Sequence, residues 1–261
     1  MPITDLKAHF AQGGTAVNGW CAIPSPVTAE IVGRAGFDTV TVDLQHGLID
    51  YQMALTMCQV LQGLPAPVMV RLPWNEPGII MKCLDAGFSG LICPMINTAA
   101  DARRLVEASR YAPLGGRSFG PTRANLVYGP TYARTANEKI LLFAMIETRE
   151  ALSNLDAILA VEGIDGVYVG PSDLGLSLGY EPTLEPTASE VIEAIAQIAA
   201  RTRAIGRIAG VHTGSPGMLR SMLNQGFHFA SLLTDVRLFS NALASSLALA
   251  KETRAQTVGN Y

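Results

Sequence analysis

The chain has 261 residues, 49% hydrophobic and only 16% charged, enough for a sizeable core in one α/β barrel or two smaller domains. Its formal charge of -3 gives no reason to expect nucleic acid or an anionic membrane as partner, and no apolar run reaches the length of a membrane span. The N-terminal MPITDLKAHFAQGG lacks the apolar stretch of a signal peptide, and Cys21, Cys58, Cys83 and Cys93 form no CxxC pair, so they read as buried thiols of a cytoplasmic protein.

Eight short runs rich in β-branched residues alternate with amphipathic stretches. The predicted strands are GTAVNGWCA (14–22), FDTVTVD (37–43), PVMVRL (67–72), GLICPM (90–95), ILLFAMIE (140–147), GVYVG (166–170), IAGVHT (208–213) and HFASLLT (228–234). A helical stretch follows each, the pattern of parallel βαβ units with right-handed crossovers. Ser25-Pro26 and Ser215-Pro216 mark helix starts, with proline at the first helical position. Thr187 to Glu190 reads as a capping box opening the next helix. Glycines in RAGFD, DAGFSG and NQGFHF end helices just before strands. No linker divides the chain, so residues 1–261 are expected to form a single (β/α)₈ TIM barrel. The rival, a doubly wound open sheet, lacks a GxGxxG turn after the first strand. One segment, at about 112–139, is rich in Gly, Pro and Arg and too long for an ordinary connection; it reads as a functional excursion.

In such barrels catalytic residues gather at the C-terminal ends of strands. That filter selects Asp43 and His46 after the second strand, Arg71 at the end of the third, and Glu147 at the end of the fifth. Asp173 follows the sixth and His212 lies in the seventh, whereas His228 precedes the eighth, at the stabilising end. Glu147 and Asp173 come from adjacent strands with no His or Cys at ligand spacing, which favours a hard cation, Mg²⁺, Mn²⁺ or Co²⁺, over zinc. Either acid alone fits a structural hydrogen bond or ion pair equally well. Arg71 suits a carboxylate or a developing oxyanion, with a surface ion pair as the alternative. Asp43 is expected to hold the His46 imidazole as an orienting partner, keeping it available as a base. None of the four lysines, Lys7, Lys82, Lys139 and Lys251, falls at a strand C-terminus, which argues against Schiff-base chemistry.

Taken together, AEIVGRAGFDTVTVDLQHG, VRLPW, LDAGFSGLICPMI, MIET and VEGIDGVYVGPSDLGLSLGY carry a resemblance over nearly the whole chain. The chain resembles the HpcH/HpaI aldolase family, metal-dependent class II pyruvate aldolases of the 4-hydroxy-2-oxoheptanedioate aldolase type. The resemblance implies that Glu147 and Asp173 bind the metal, that Arg71 contacts the keto-acid oxygen, and that His46 is the base. It further implies that backbone N–H groups around Ser172 and Asp173 receive the pyruvate carboxylate, with Trp20 as a pocket wall. The partners so implied are a small 2-oxo acid and an aldehyde, with hexamers (trimers of dimers) that exchange the final helix. Three positions depart from the pattern: Gln45 stands where many members carry Glu, Met145 where the type enzyme has Gln, and Ser118 where Gly usually follows Arg117. Gln45 is expected beside the substrate, holding a metal-bound water with less charge than a glutamate. Two alternatives remain: a lyase acting on a CoA thioester, for which Arg117, Arg123 and Arg134 could supply a basic channel, and a non-catalytic barrel that binds a keto acid.

Overall fold

A computed structural model describes residues 5–258, with side chains through residue 251. The chain opens with helix α1 (Leu6–Ala11), followed by β1 (Ala16–Cys21), α2 (Pro26–Arg34), β2 (Thr39–Asp43), α3 (Tyr51–Leu61) and β3 (Val68–Arg71). Next come α4 (Pro77–Ala86), β4 (Gly90–Cys93), α5 (Ala99–Ser109), α6 (Thr122–Tyr128), α7 (Tyr132–Lys139) and β5 (Leu141–Ile146). Helices α8 (Arg149–Ser153) and α9 (Leu155–Leu159) lead to β6 (Gly166–Val169), and α10 (Pro171–Leu178) and α11 (Ser189–Ala204) to β7 (Ile208–Thr213). Helix α12 (Pro216–Asn224), β8 (Phe229–Leu232) and α13 (Asp235–Val258) complete the order. All eight predicted strands form, each pairs in parallel with its neighbours in sequence, and β8 closes on β1. The (β/α)₈ barrel is therefore as expected.

Two apolar shells hold it. Inside the ring, Ala16, Met69, Ile92, Leu141, Phe143 and Phe229 fill the barrel, and Leu6 and Phe10 of α1 plug its N-terminal end. Between ring and helices lies a larger shell, with Val40, Val42, Val70, Leu91, Ile146 and Val169 facing outward onto helices. Burial of one such side chain contributes roughly 1.5–3 kcal/mol. Ser25 and Ser215 cap α2 and α12 through their hydroxyls, with Pro26 and Pro216 behind them. Gly36, Gly87 and Gly226 all adopt the left-handed conformation that lets a helix stop and a strand begin.

Two expectations need correction. No capping box forms at Thr187: α11 begins at Ser189 behind Ala188, and Glu190 instead accepts a hydrogen bond from the Tyr180 hydroxyl at 2.8 Å. A true box, from Thr98 and Asp101, opens α5. The segment 112–139, expected as a functional loop excursion, is largely helical. It contains α6 and α7, and its polar side chains lock onto the end of α4, beneath the strands. Arg123 donates to the Ala86 carbonyl, Tyr128 to the Gly87 carbonyl at 2.7 Å, and Arg117 pairs with Asp85 at 2.6 Å between the rings of Tyr111 and Tyr132. Arg117 and Arg123 are thereby engaged at the N-terminal end of the barrel.

Candidate active site

At the opposite end, a cavity of about 220 Å³ opens between the strand C-termini. It is lined by residues from or following seven strands, among them Trp20 (β1), His46 (β2), Arg71 (β3), Met145 (β5), Ser172 and Asp173 (β6), His212 (β7) and Thr234 (β8). Four of the sequence-selected side chains thus share one space with Trp20 and Ser172.

Asp43 anchors the arrangement from below. It is 1% exposed, and β2–β3 register sets it directly opposite Arg71. Arg71 clasps it with a two-pronged contact, Nε to Oδ1 at 2.8 Å and Nη2 to Oδ2 at 2.5 Å. Trp20 Nε1–H donates to Oδ2 at 3.2 Å, while the backbone N–H groups of Gln45 and His46 donate to Oδ1 at 3.0 and 3.3 Å. Burial raises the Asp43 pKa, but Arg71, Trp20 and the Gln45 N–H together outweigh it and hold the carboxyl below its ordinary range. The expected Asp43–imidazole pair is therefore absent: both carboxylate oxygens are already occupied. Asp43 fixes the His46 backbone, and the imidazole is exposed with no hydrogen-bond partner among the described residues. The same clasp orients Arg71, whose Nη1 has no acceptor among the described residues.

Trp20 is a wall in the sense expected. Its ring lies 5.0 Å from the Arg71 guanidinium, stacks on Tyr168 at 5.8 Å and meets the edge of His212 at 4.8 Å. His212, whose strand-end position had assigned it no role, approaches the Tyr168 hydroxyl through Nδ1 at 3.3 Å. That hydroxyl donates to Ser231 at 2.6 Å, and Ser231 also accepts from Asn18 at 2.8 Å, so a polar chain supports the cavity floor. Burial first, then the charge of Arg71, pushes the His212 pKa down to about 3; the imidazole is neutral at physiological pH.

Glu147 and Asp173 differ sharply. Glu147 is 2% exposed and takes one backbone N–H, from Met95 at 2.7 Å. Met95 reaches it from a left-handed conformation, φ 55°, uncommon for a residue with a side chain. Gly170 brings its backbone so close that a Cβ there would lie 2.8 Å from Glu147 Oε2. Burial, aided by the neighbouring charge of Asp173, raises the Glu147 pKa to about 7 against the lowering effect of Met95 and Arg71. Asp173 is exposed, in the first turn of α10. That helix has Gly170 as N-cap and no side-chain cap, so the N–H groups of Ser172 and Asp173 face outward as an anion-receptive end. Among the described residues no third His, Cys, Asp or Glu joins these two acids in a metal-holding group. A buried carboxylate with one donor and an exposed one with none, both hard oxygen ligands, fit a divalent cation that keeps open positions.

Gln45 is placed differently from expectation. It does not line the cavity, and its Oε1 is buried with no partner among the described residues. Met145 does line it, giving the floor an apolar patch where a polar residue was noted as usual. His228 is structural, its Nδ1 accepting from the Ala209 N–H at 3.3 Å at the far end. None of the lysines borders the cavity. Three lining residues had no sequence signal: Leu184 from the connection after α10, and Thr234 and Arg237 at the start of α13.

Comparison with known proteins fits this geometry. The family model described as HpcH/HpaI aldolase/citrate lyase matches residues 19–242. The chain belongs to that family. It is a carbon–carbon lyase of the aldolase type. It is 42% identical over 246 residues to a hydroxypyruvate/pyruvate aldolase of Rhizorhabdus wittichii, covering 94% of this chain and 98% of the relative. To a 4-hydroxy-2-oxo-heptane-1,7-dioate aldolase of Escherichia coli it is 35% identical, covering 93% of each. Among solved structures, a family member from Burkholderia cenocepacia superposes with a TM-score of 0.89 at 25% identity, over 95% of this chain and all of that one (100%).

Proposed function

We propose that the chain cleaves and forms 4-hydroxy-2-oxo acids, interconverting them with pyruvate or a related 2-oxo acid and an aldehyde, while Glu147 and Asp173 hold Mg²⁺, Mn²⁺ or Co²⁺. The observation that carries this reading is the acid pair itself: Glu147 is buried with a single donor and feels the charges of both Arg71 and Asp173, the latter without a side-chain partner among the described residues. A cation bound there supplies Lewis-acid stabilisation of the charge that develops on the 2-oxo oxygen.

The chain's own groups supply the rest. The N–H groups of Ser172 and Asp173 receive the substrate carboxylate at the start of α10. Arg71, fixed by Asp43, turns its free Nη1 towards the 2-oxo oxygen; one such donor is worth on the order of 3 kcal/mol in the barrier. His46 takes the C4 hydroxyl proton, directly or through a water. The C3–C4 bond breaks, its electrons form the enolate of the 2-oxo acid, and the aldehyde leaves. Protonation at C3 completes the cycle. Trp20 closes the side of the pocket, and Gln45 Oε1, buried and unpartnered, is available to accept a hydrogen bond from a water near the cation.

The CoA-thioester alternative has lost its support, because Arg117 and Arg123 are engaged at the N-terminal end and Arg134 lies on α7 beside them. Assembly follows from α13. Val236, Phe239, Leu243 and Leu247 form an exposed apolar stripe along it, which a hexamer with exchanged final helices covers. Size-exclusion chromatography with light scattering checks this; a monomer sinks it. Among the described residues no helix is long and apolar enough to cross a membrane, and four unpaired buried thiols suit a cytoplasmic location.

The test of the chemistry is chelation. Aldol cleavage should vanish in chelator and return with Mn²⁺, Mg²⁺ or Co²⁺, and borohydride with pyruvate should leave no adduct. A chelator-insensitive enzyme or a trapped lysine would reject the reading.

A further inference from the structure

The cavity carries one cation that the chemistry just described does not use. Arg237 lines it from the first turn of α13, and its guanidinium has no hydrogen bond or ion pair among the described residues. Nothing in the fold asks for a positive charge there. The N-terminal turn of a helix is the unfavourable end for a cation. The acid nearest in sequence, Asp235, is not its partner: it is 4% exposed and taken by the N–H groups of Ala22 at 2.8 Å, Ile23 at 3.2 Å and Val236 at 2.8 Å. Arg71, the other guanidinium of the cavity, is committed to Asp43. Arg237 is thus the unpaired guanidinium of the mouth.

Its place on the ring indicates what it faces. The acid pair and the anion-receptive helix end follow β5 and β6, Arg71 ends β3, and together they occupy the side of the mouth assigned to the 2-oxo acid. His46, assigned to the C4 hydroxyl, follows β2. The remaining arc, β7, β8 and β1, presents His212, Thr234, Arg237 and Trp20, with Leu184 over it. A chain extending from C4 away from the keto acid enters this arc. His212 there is kept neutral in part by the charge of Arg237 itself, so the arc offers one guanidinium among neutral side chains.

We propose that Arg237 selects the acceptor, favouring aldehydes that carry an anionic group, carboxylate or phosphate, remote from the reacting carbonyl. Arg237 is a specificity residue and takes no part in the bond-making step. The assignment rests on the aldolase reading above and deepens it by naming the substrate class.

The experiment uses the full-length enzyme with Mn²⁺, pyruvate and matched acceptors: succinic semialdehyde against butanal for the carboxylate, glyceraldehyde 3-phosphate against glyceraldehyde for the phosphate. The parent should favour the anionic member of at least one pair, and which pair identifies the group. Arg237→Met should lower the anionic-to-neutral ratio of kcat/KM by about 10- to 100-fold, the range expected for a lost charge-assisted hydrogen bond, and Arg237→Lys should retain part of it. No preference in the parent, or an equal loss on both members of a pair in Arg237→Met, overturns the assignment, the latter because Arg237 would then serve the keto acid or the fold. Exchange of the pyruvate methyl protons in D₂O, measured without acceptor, separates the two levels. Exchange with a flat acceptor ratio removes Arg237 alone; no exchange with any of the three metals removes the enolate reading and the acceptor assignment with it.

Discussion

Glu147→Gln should make the metal-free protein more stable at neutral pH while disabling it. Burial lifts the Glu147 pKa from the ordinary 4.5 to about 7, with Asp173 adding to the rise. The native carboxyl therefore binds its proton more tightly than the unfolded chain does. As pH climbs through this window the unfolded state holds fewer protons, and the stability of the metal-free fold falls. The gap corresponds to about 3 kcal/mol, present in full only above pH 7 and absent below pH 4.5. Glutamine can still accept the Met95 N–H but carries no charge. Its buried amide adds an offset of its own, so the diagnostic quantity is how the difference between the two proteins changes with pH. In chelator, the variant-minus-parent stability should rise by about 3 kcal/mol between pH 5 and pH 8. At about 2–4 °C per kcal/mol for a chain of this size, that is roughly 6–12 °C in Tm. Thermal melts followed by circular dichroism at several pH values measure it. Saturating Mn²⁺ should then raise the parent's Tm at pH 8 and leave the variant's nearly where it was. A variant-minus-parent difference that does not move with pH would show that Glu147 is solvated or paired, and would refute the reasoning that makes it a metal ligand.

Two further substitutions probe neighbouring groups. Arg71→Lys keeps the charge but loses the two-pronged clasp on Asp43, so kcat should fall by a larger factor than KM rises; steady-state kinetics with an unchanged kcat would reduce Arg71 to a ground-state anchor. Gln45→Glu places a carboxylate where a buried oxygen now lacks a partner, and should tighten Mn²⁺ binding ~10–100-fold; titrations that overlay those of the parent would take Gln45 out of the site.

The barrel was legible because its repeating unit is written in local chemistry: β-branched runs, serine–proline helix starts, glycine stops. The residues that the strand-end filter selected gather at one end because closing the ring converts eight distant positions into neighbours. The filter reached Asp43, Arg71, Glu147 and Asp173 without any knowledge of register. What it could not give was the direction of each contact. Asp43 and His46 sit three residues apart and suggested a pair, yet register sets Asp43 against Arg71, and the fork geometry of guanidinium and carboxylate wins over the imidazole. Segment 112–139 failed for a similar reason. Its length and arginines signalled importance, but sequence does not state towards which end of a barrel a connection folds. Thr187 and Glu190 had the spacing of a capping box, and a tyrosine from the preceding connection took the glutamate. Leu184, Thr234 and Arg237 escaped the filter altogether, the first two on connections and Arg237 in the first turn of α13.

The two ends of this barrel treat charge in opposite ways, and the contrast bears on which polar residues do chemistry. Below the strands, Asp165 receives both Lys7 and Arg110 at 2.7 Å, and the Arg110 Nη1 and Nη2 groups also donate to the carbonyls of Asn137, Ile140 and Gly163. Arg117 is likewise buried against Asp85 and two tyrosine rings. Such networks repay desolvation only when nearly every donor is met, which is the condition for a charge that serves the fold. At the mouth the condition is broken repeatedly. Among the described residues Glu147 has one donor, Asp173 and Arg237 have no side-chain partner, and Gln45 leaves a buried oxygen unmet. Met95 holds a left-handed backbone in order to supply the one donor Glu147 has, a conformation that costs of order 1–3 kcal/mol. Of these, the buried Glu147 carboxylate and the buried Gln45 oxygen lower the stability of the isolated chain, whereas the exposed Asp173 and Arg237 are hydrated. The N-terminal end also leaves buried groups unmet, the Nε of Arg110 and of Arg117 among them, so what distinguishes the mouth is the cavity onto which His46, Arg71, Asp173 and Arg237 open. Arg237 borders the same cavity as Asp173, although no motif pointed to it.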